Sequence, residues 1–180
     1  MSVVNAGDEG RQYLGQGSWG SSPAPAGLTH VDEQGAARMV DVSGKDVTVR
    51  TARAAGRVTV SAEVVALLRG EGVPKGDAIA VARLAGIQGA KRTPDLIPLC
   101  HPIALHGVEV RIDVTDEAVE IEATVRTADR TGVEMEALTA VATAGLALID
   151  MVKAVDRQAA IENVRLLTKT GGRSGDWARS

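Results

Sequence analysis

Three patterns in the sequence predict an α+β fold, with helices packed on one face of an antiparallel sheet. Residues 107–126 alternate apolar and charged side chains on a period of two, through a turn at Asp116-Glu117. That pattern marks a half-exposed hairpin. Residues 132–155 place Val133, Ala137, Ala140, Ala144, Leu148, Met151 and Val155 at i, i+3/i+4 spacing, which marks a helix with one face in the core. The element order of strand, helices, strand, strand, helix, strand then fits a ferredoxin-like split βαββαβ arrangement. Its second sheet face has no helix left to cover it, so a partner chain is the expected cover.

The elements follow in order. Residues 1–27 hold six Gly, four Ser and two Pro without apolar periodicity, and read as a disordered tail. Residues 28–180 read as one domain. Met39-Val40-Asp41-Val42 is a short strand candidate. Residues 46–60 contain two alternating runs, Val47/Val49 and Val58/Val60, which favour strand. Ser61 is placed to N-cap a helix through about Leu68, ended by Gly70 and Gly72. Val73-Pro74-Lys75-Gly76 is a turn, and Asp77 starts a second helix through about Arg92, with Ile79, Ala82, Ala85 and Ala90 available for burial. Pro94, Pro98 and Pro102 exclude a helix and a central strand from residues 93–102. The segment is nonetheless apolar and must pack, and packed irregular backbone often carries function. A last strand runs from about Ile161 to Lys169, and Gly171-Gly172-Arg173-Ser174-Gly175 reads as a flexible end.

Composition excludes several classes of function. Aromatic residues make up 2% of the chain: Tyr13, Trp19 and Trp177, with no Phe. Residues 28–176 therefore offer no ring on which single-stranded nucleic acid could stack. A net charge of −3 adds no electrostatic footprint for DNA or RNA. One Cys excludes an intrachain disulfide framework and a multi-Cys zinc site. No apolar run reaches the ~18 residues of a membrane span, and no secretory signal precedes the body. The expectation is a cytoplasmic protein that contacts neither nucleic acid nor membrane. The chain has 28 Ala and 23 Val against 13 Leu and 8 Ile. Small side chains bury little area each, so further burial between subunits is expected.

The chemistry-bearing residues are few. Lys75 sits in a rigid turn, either as a solvated lysine or as a cation for phosphate or proton transfer. Cys100 and His101 are neighbours in the Pro-rich loop, but adjacent side chains in extended backbone point apart. Cys100 fits a packed structural residue better than a nucleophile. His101 fits a satisfied loop histidine and a phosphate or acid/base group equally. Thr131-Gly132-Val133-Glu134 matches a capping box with Thr131 as N-cap, whereas Glu136 has no assignable capping role. Asp150 and Lys153 form an i, i+3 pair at the unfavourable end of the helix dipole for an acid. Their apolar neighbours suggest a partly buried pair, with both pKa values drawn toward neutrality. Glu136 and Asp150 face similar directions but lie about 21 Å apart along the helix axis. One small-molecule site could hardly use both from one helix, which points to separate sites or a site shared between subunits. Lys169 and Arg173 bracket Gly171-Gly172, whose backbone N–H groups can approach an anion.

Longer strings carry a resemblance. Met39-Val40-Asp41-Val42-Ser43, Lys75-Gly76-Asp77, Asp95-Leu96-Ile97-Pro98-Leu99-Cys100-His101-Pro102, Thr131-Gly132-Val133-Glu134-Met135-Glu136-Ala137-Leu138-Thr139, Asp150-Met151-Val152-Lys153 and Lys169-Thr170-Gly171-Gly172 closely resemble the molybdenum cofactor biosynthesis protein C family. These are the cyclic pyranopterin monophosphate synthases, and the resemblance covers about residues 28–176. It implies conversion of 3′,8-cyclo-7,8-dihydroguanosine 5′-triphosphate to cyclic pyranopterin monophosphate with release of diphosphate. It also implies a hexamer, a trimer of dimers, with the active site at a subunit interface. By the same resemblance Asp150, Lys153 and Lys75 are catalytic. Leu99, Cys100, His101, Met135 and Glu136 bind substrate, with Arg50, Lys91 and Lys169 as supporting basic positions. No metal ligand and no required cofactor is implied, although magnesium could ride on the triphosphate. Arg173 stands where relatives often carry Lys, and keeps the charge without the capacity to transfer a proton. The rival readings are a non-catalytic nucleotide-binding protein of the same fold and a cysteine hydrolase using Cys100 and His101.

Overall fold

A computed structural model describes His30, Asp32, residues 34–70 and residues 73–180. The tail expected over residues 1–27 lies outside the described residues. Residues Met39–Ser180 form one compact unit. Before it, the Asp32 carboxylate accepts the N–H groups of Gln34 and Ala36 in a local turn.

The unit contains β1 (Thr48–Thr59), α1 (Ala62–Arg69), α2 (Ala78–Lys91), α3 (Thr93–Leu96), β2 (Gly107–Val114), β3 (Ala118–Asp129), α4 (Glu134–Val152), β4 (Ala160–Thr170) and β5 (Trp177–Ala178). The sheet order is β2-β3-β1-β4-β5, and every neighbouring pair is antiparallel. The first four strands follow the split βαββαβ order expected from the sequence.

Several local expectations are corrected. Residues 39–42 form no strand; the Asp41 carboxylate turns the backbone there by accepting the Ser43 N–H. The two Val runs of residues 46–60 meet in one 12-residue strand, β1, which holds Val49 and Val58 and leaves Val47 and Val60 just beyond its ends. Residues 93–96 are helical after all, because Pro94 occupies the first turn, where a missing N–H is tolerated. The Gly-rich end turns the chain back to add β5. Ser61 and Asp77 cap α1 and α2 as expected, accepting from Val64 N–H and Ala80 N–H.

The core lies between the sheet and the α2–α4 layer. Ala52, Ala54 and Val58 of β1 face α4, as do Ile121, Ala123 and Val125 of β3. The opposite face carries ion pairs, Arg53–Glu122 at 2.8 Å and Arg57–Glu120 at 3.7 Å. The face that lacks a helix is thus charged and locally self-neutralising.

Small residues set the distance between α2 and α4. Ala82, Gly86, Gly89 and Ala90 present a nearly smooth ridge to Ala140, Thr143 and Ala144. A Cβ on Gly86 would stand 3.0 Å from the Ala140 carbonyl oxygen and 3.2 Å from Ala144 Cβ. Ile79 and Ala85 are only partly buried, because Gly86 and Gly89 take the contact line instead. The alanine content therefore produces close helix packing rather than a thin core. By length and composition the 19-residue α4 could cross a membrane, but 56% of its apolar window is buried inside the unit. This is core-helix hydropathy, and Glu134, Glu136 and Asp150 interrupt the apolar run at both ends of the helix.

Candidate active site

The candidate residues fall into two clusters at opposite ends of α4. At its C-terminal end, the Lys75 ammonium donates to the Asp150 carbonyl oxygen at 2.7 Å and to Asp150 Oδ2 at 3.1 Å. Lys153 Nζ lies 2.6 Å from Asp150 Oδ1. The Val73–Gly76 bridge, closed by Gly76 at φ +102°, positions Lys75. The antiparallel course of α2 along α4 then brings Lys75 to a residue 75 positions later in the chain.

This geometry corrects the expected burial of the Asp150–Lys153 pair. The Asp150 and Lys153 side chains are each 57% exposed. Hydrogen bonds from Lys153 and Lys75, together with their charges, hold the Asp150 carboxyl below the usual carboxylate range. Asp150 is an ionised acceptor between two ammonium donors. An open groove of about 580 Å³ begins one residue beyond Lys153, between Thr59–Ser61 and Ala154–Gln158.

The second cluster surrounds the start of α4. The expected capping box does not form. The helix begins at Glu134 with Val133 as N-cap, and no side chain caps it. The Glu134 carboxylate instead pairs with Lys169 of β4 at 3.2 Å. Arg50 enters from β1 and donates through Nε to the Asp129 carbonyl oxygen at 2.9 Å. Its guanidinium occupies the space beside Gly172 that a Cβ would fill. Gly171, at φ +82°, leaves no room for a Cβ beside the Val49 carbonyl oxygen. Both glycines are therefore required by close backbone approach as well as by their conformation.

Glu136 is 3% exposed. Burial pushes its carboxyl up to about 7, opposed by its own backbone N–H and assisted by the Glu134 charge. Burial, and then the Glu136 charge, push the Cys100 thiol up. A raised thiol holds little thiolate at neutral pH, which removes the basis for a Cys100 nucleophile. His101 points elsewhere: its Nε2 donates to the Val40 carbonyl oxygen at 2.7 Å. It lines an open groove of about 560 Å³ with residues 39–43 and 129–131. Leu99 is half-buried in the same loop, and Met135 is 37% exposed beside Glu136. Lys91 is exposed on the last turn of α2 and bonds to neither cluster among the described residues.

The structure thus joins Lys75 to Asp150 and Lys153, and gathers Arg50, Glu136, Cys100 and Lys169 near the start of α4. It does not join the two groups. Glu134 as counter-ion of Lys169 has no local sequence signal, because its partner lies 35 positions away. Among the described residues, no three His, Cys, Asp or Glu side chains converge as a metal-ligand set.

Glu136 makes stability depend on pH. Its folded-state pKa of about 7 lies above the ordinary glutamate value of 4.5, so the folded state holds a proton that the unfolded state has lost between pH 4.5 and about 7. Stability therefore falls as pH rises through that window, by roughly 3 kcal/mol in total. Glu136→Gln should be near neutral at pH 4.5 and more stable than the parent at pH 8.5 by about that amount. Urea unfolding of both proteins at the two pH values checks this. Equal pH slopes would assign the dependence to another group.

A model of the MoaC family matches residues 39–172. The chain is 70% identical to the cyclic pyranopterin monophosphate synthase of Streptomyces avermitilis, over 91% of this chain and 98% of that protein. It is 67% identical to the enzyme of that name from Nocardioides sp., over 88% of this chain and 99% of the other. It is 60% identical to cyclic pyranopterin monophosphate synthase 2 of Mycobacterium tuberculosis, over 84% and 91% of the two chains.

Proposed function

The chain belongs to the MoaC family, and from that membership we infer that it is a cyclic pyranopterin monophosphate synthase of molybdenum cofactor biosynthesis. Its small-molecule substrate is derived from GTP, and its chemistry is that of a diphosphate-releasing lyase. The observation that carries the reading to this chain's own residues is Asp150 held between Lys75 and Lys153. Opening the five-membered ring of the cyclised purine and rebuilding a pterin requires proton transfers, and loss of diphosphate develops negative charge. The ionised Asp150 is a ready acceptor. Lys153 and Lys75 supply donors and positive charge where the phosphates are rearranged. Leu99, Cys100, His101, Met135 and Glu136 bind the substrate, with Arg50, Lys91 and Lys169 as supporting cations. These groups supply acid, base and charge without a resident cofactor. Any magnesium would enter with the triphosphate. We propose that the enzyme works in the cytoplasm.

The separation of the clusters supports an assembly in which each active site uses two copies. We propose a homohexamer, a trimer of dimers, in which the Asp150 end of one subunit meets the Glu136 end of another. Purified protein should convert 3′,8-cyclo-7,8-dihydroguanosine 5′-triphosphate to the pyranopterin and diphosphate, and a failure with authentic substrate rejects the synthase reading. Asp150→Asn and Lys169→Ala, each nearly inactive alone, should complement when co-expressed. Random pairing restores one intact site in each mixed dimer, or about a quarter of parental activity. Absence of complementation in verified mixed assemblies would place the whole site within one chain.

A further inference from the structure

Trp177 is the one aromatic side chain among the described residues, and the fold carries it to the second cluster. In the β4–β5 pair it stands directly opposite Lys169. Opposed residues of an antiparallel pair share a face, with Cβ atoms about 5 Å apart. Lys169 is itself opposite Ala52 of β1, which is 1% exposed in the core. Trp177 therefore lies on the helix side of the sheet, beside Lys169 and its counter-ion Glu134. Arg50, two residues before Ala52 on β1, shares that face.

The indole is held in place without being buried. Trp177 is 43% exposed, while the Arg179 guanidinium stands 5.7 Å from the ring centroid. Arg179 is anchored in turn, its Nε donating to the Leu166 carbonyl oxygen at 2.7 Å and its N–H to that of Leu167 at 2.8 Å. The preceding turn is pinned where the Gly171 N–H donates to the Asp176 carboxylate at 2.9 Å. An exposed, pre-oriented ring flanked by cations suits a flat heterocycle that carries phosphates.

We propose that Trp177 is the platform on which the purine-derived ring of the substrate stacks, with Lys169 and Arg50 beside it to hold the anionic groups. The proposal rests on the synthase reading and adds a positioning residue to it. Stacking orients the ring before chemistry and contributes to binding rather than to the chemical step, so its loss should appear in KM.

Trp19→Phe leaves Trp177 as the only tryptophan of the chain. In that protein, GTP as a purine triphosphate probe should quench fluorescence saturably, and inorganic triphosphate, which has no ring, should not. Trp177→Ala should raise KM for the cyclised GTP derivative about tenfold with kcat within about threefold. It should weaken GTP binding similarly and leave triphosphate binding within about twofold, and Trp177→Phe should restore most of the loss. Unchanged KM and GTP affinity in Trp177→Ala, with an active parent, overturn the proposal. So does equal weakening of GTP and triphosphate with a lowered melting temperature, which is the signature of a structural role. GTP quenching in a parent protein that fails to turn over the cyclised derivative would instead overturn the synthase reading and leave the platform standing.

Discussion

Asp150→Asn is expected to lower turnover of the cyclised GTP derivative by about 10³-fold or more, with the melting temperature nearly unchanged. The substitution keeps the shape of the side chain, but it removes the negative charge that Lys75 and Lys153 converge upon and turns one of the two acceptor oxygens into an amide donor. It also replaces an ionised acceptor with an amide that cannot take a proton, and a positioned acid/base group is worth about 10²–10⁴-fold. The fold should be indifferent, because the ion pairs are exposed and such pairs contribute little to stability. Steady-state turnover beside a thermal melt reads both quantities. Turnover within tenfold of the parent would remove Asp150 from the proton-transfer chemistry and leave it the task of orienting two lysines.

Gly89→Leu is expected to produce the largest loss of stability. A Cβ at this position would lie 2.8 Å from both Cβ and Cγ2 of Thr143, and closer still to its hydroxyl. Thr143 has little freedom to retreat. Its hydroxyl is bonded to the Thr139 carbonyl oxygen at 2.7 Å and to that of Ala140 at 3.2 Å, and its branched Cβ restricts rotation. The helices must separate, opening contacts along the whole small-residue ridge. Replacing a helical glycine recovers about 1 kcal/mol of propensity, but overpacking costs about 1–3 kcal/mol and sometimes more. Here the backbone itself must move, so a net loss of about 3 kcal/mol is expected, or about 10 °C in melting temperature. Gly44→Ala is the control, since nothing lies within 4 Å of its added Cβ. Thr143→Ala in the Gly89→Leu background should recover part of the loss. A Gly89→Leu protein as stable as the parent would show that α2 and α4 can separate without penalty.

Both predictions turn on contacts between segments distant in sequence, and that boundary separates what could be read from the chain. The hairpin and the long helix were legible because each pattern is local. Alternation on a period of two and apolar spacing at 3.6 follow from the geometry of one element. Ser61 and Asp77 were legible as caps because each bonds to an N–H three residues on. Thr131 was misleading for the same reason. Its spacing to Glu134 satisfies the capping pattern, but Glu134 finds a lysine on β4 and the helix starts later. Asp150 reads as partly buried from its apolar neighbours, although the helix turns those neighbours inward and leaves the carboxylate outside.

The sequence by itself determined the order and type of the main elements, the smallness of the packing side chains, the family strings and the roughly 21 Å between Glu136 and Asp150. These follow from local periodicity, residue volume and helix rise. Tertiary structure alone decided that Lys75 meets Asp150, that Glu134 neutralises Lys169, and that a buried Glu136 keeps its proton toward neutral pH. It also decided that Trp177, on a strand of two residues, stands across from Lys169. The physical reason is common to all four. Charge pairing, desolvation and cross-strand register depend on which segments meet in space, and no period along the chain encodes that meeting.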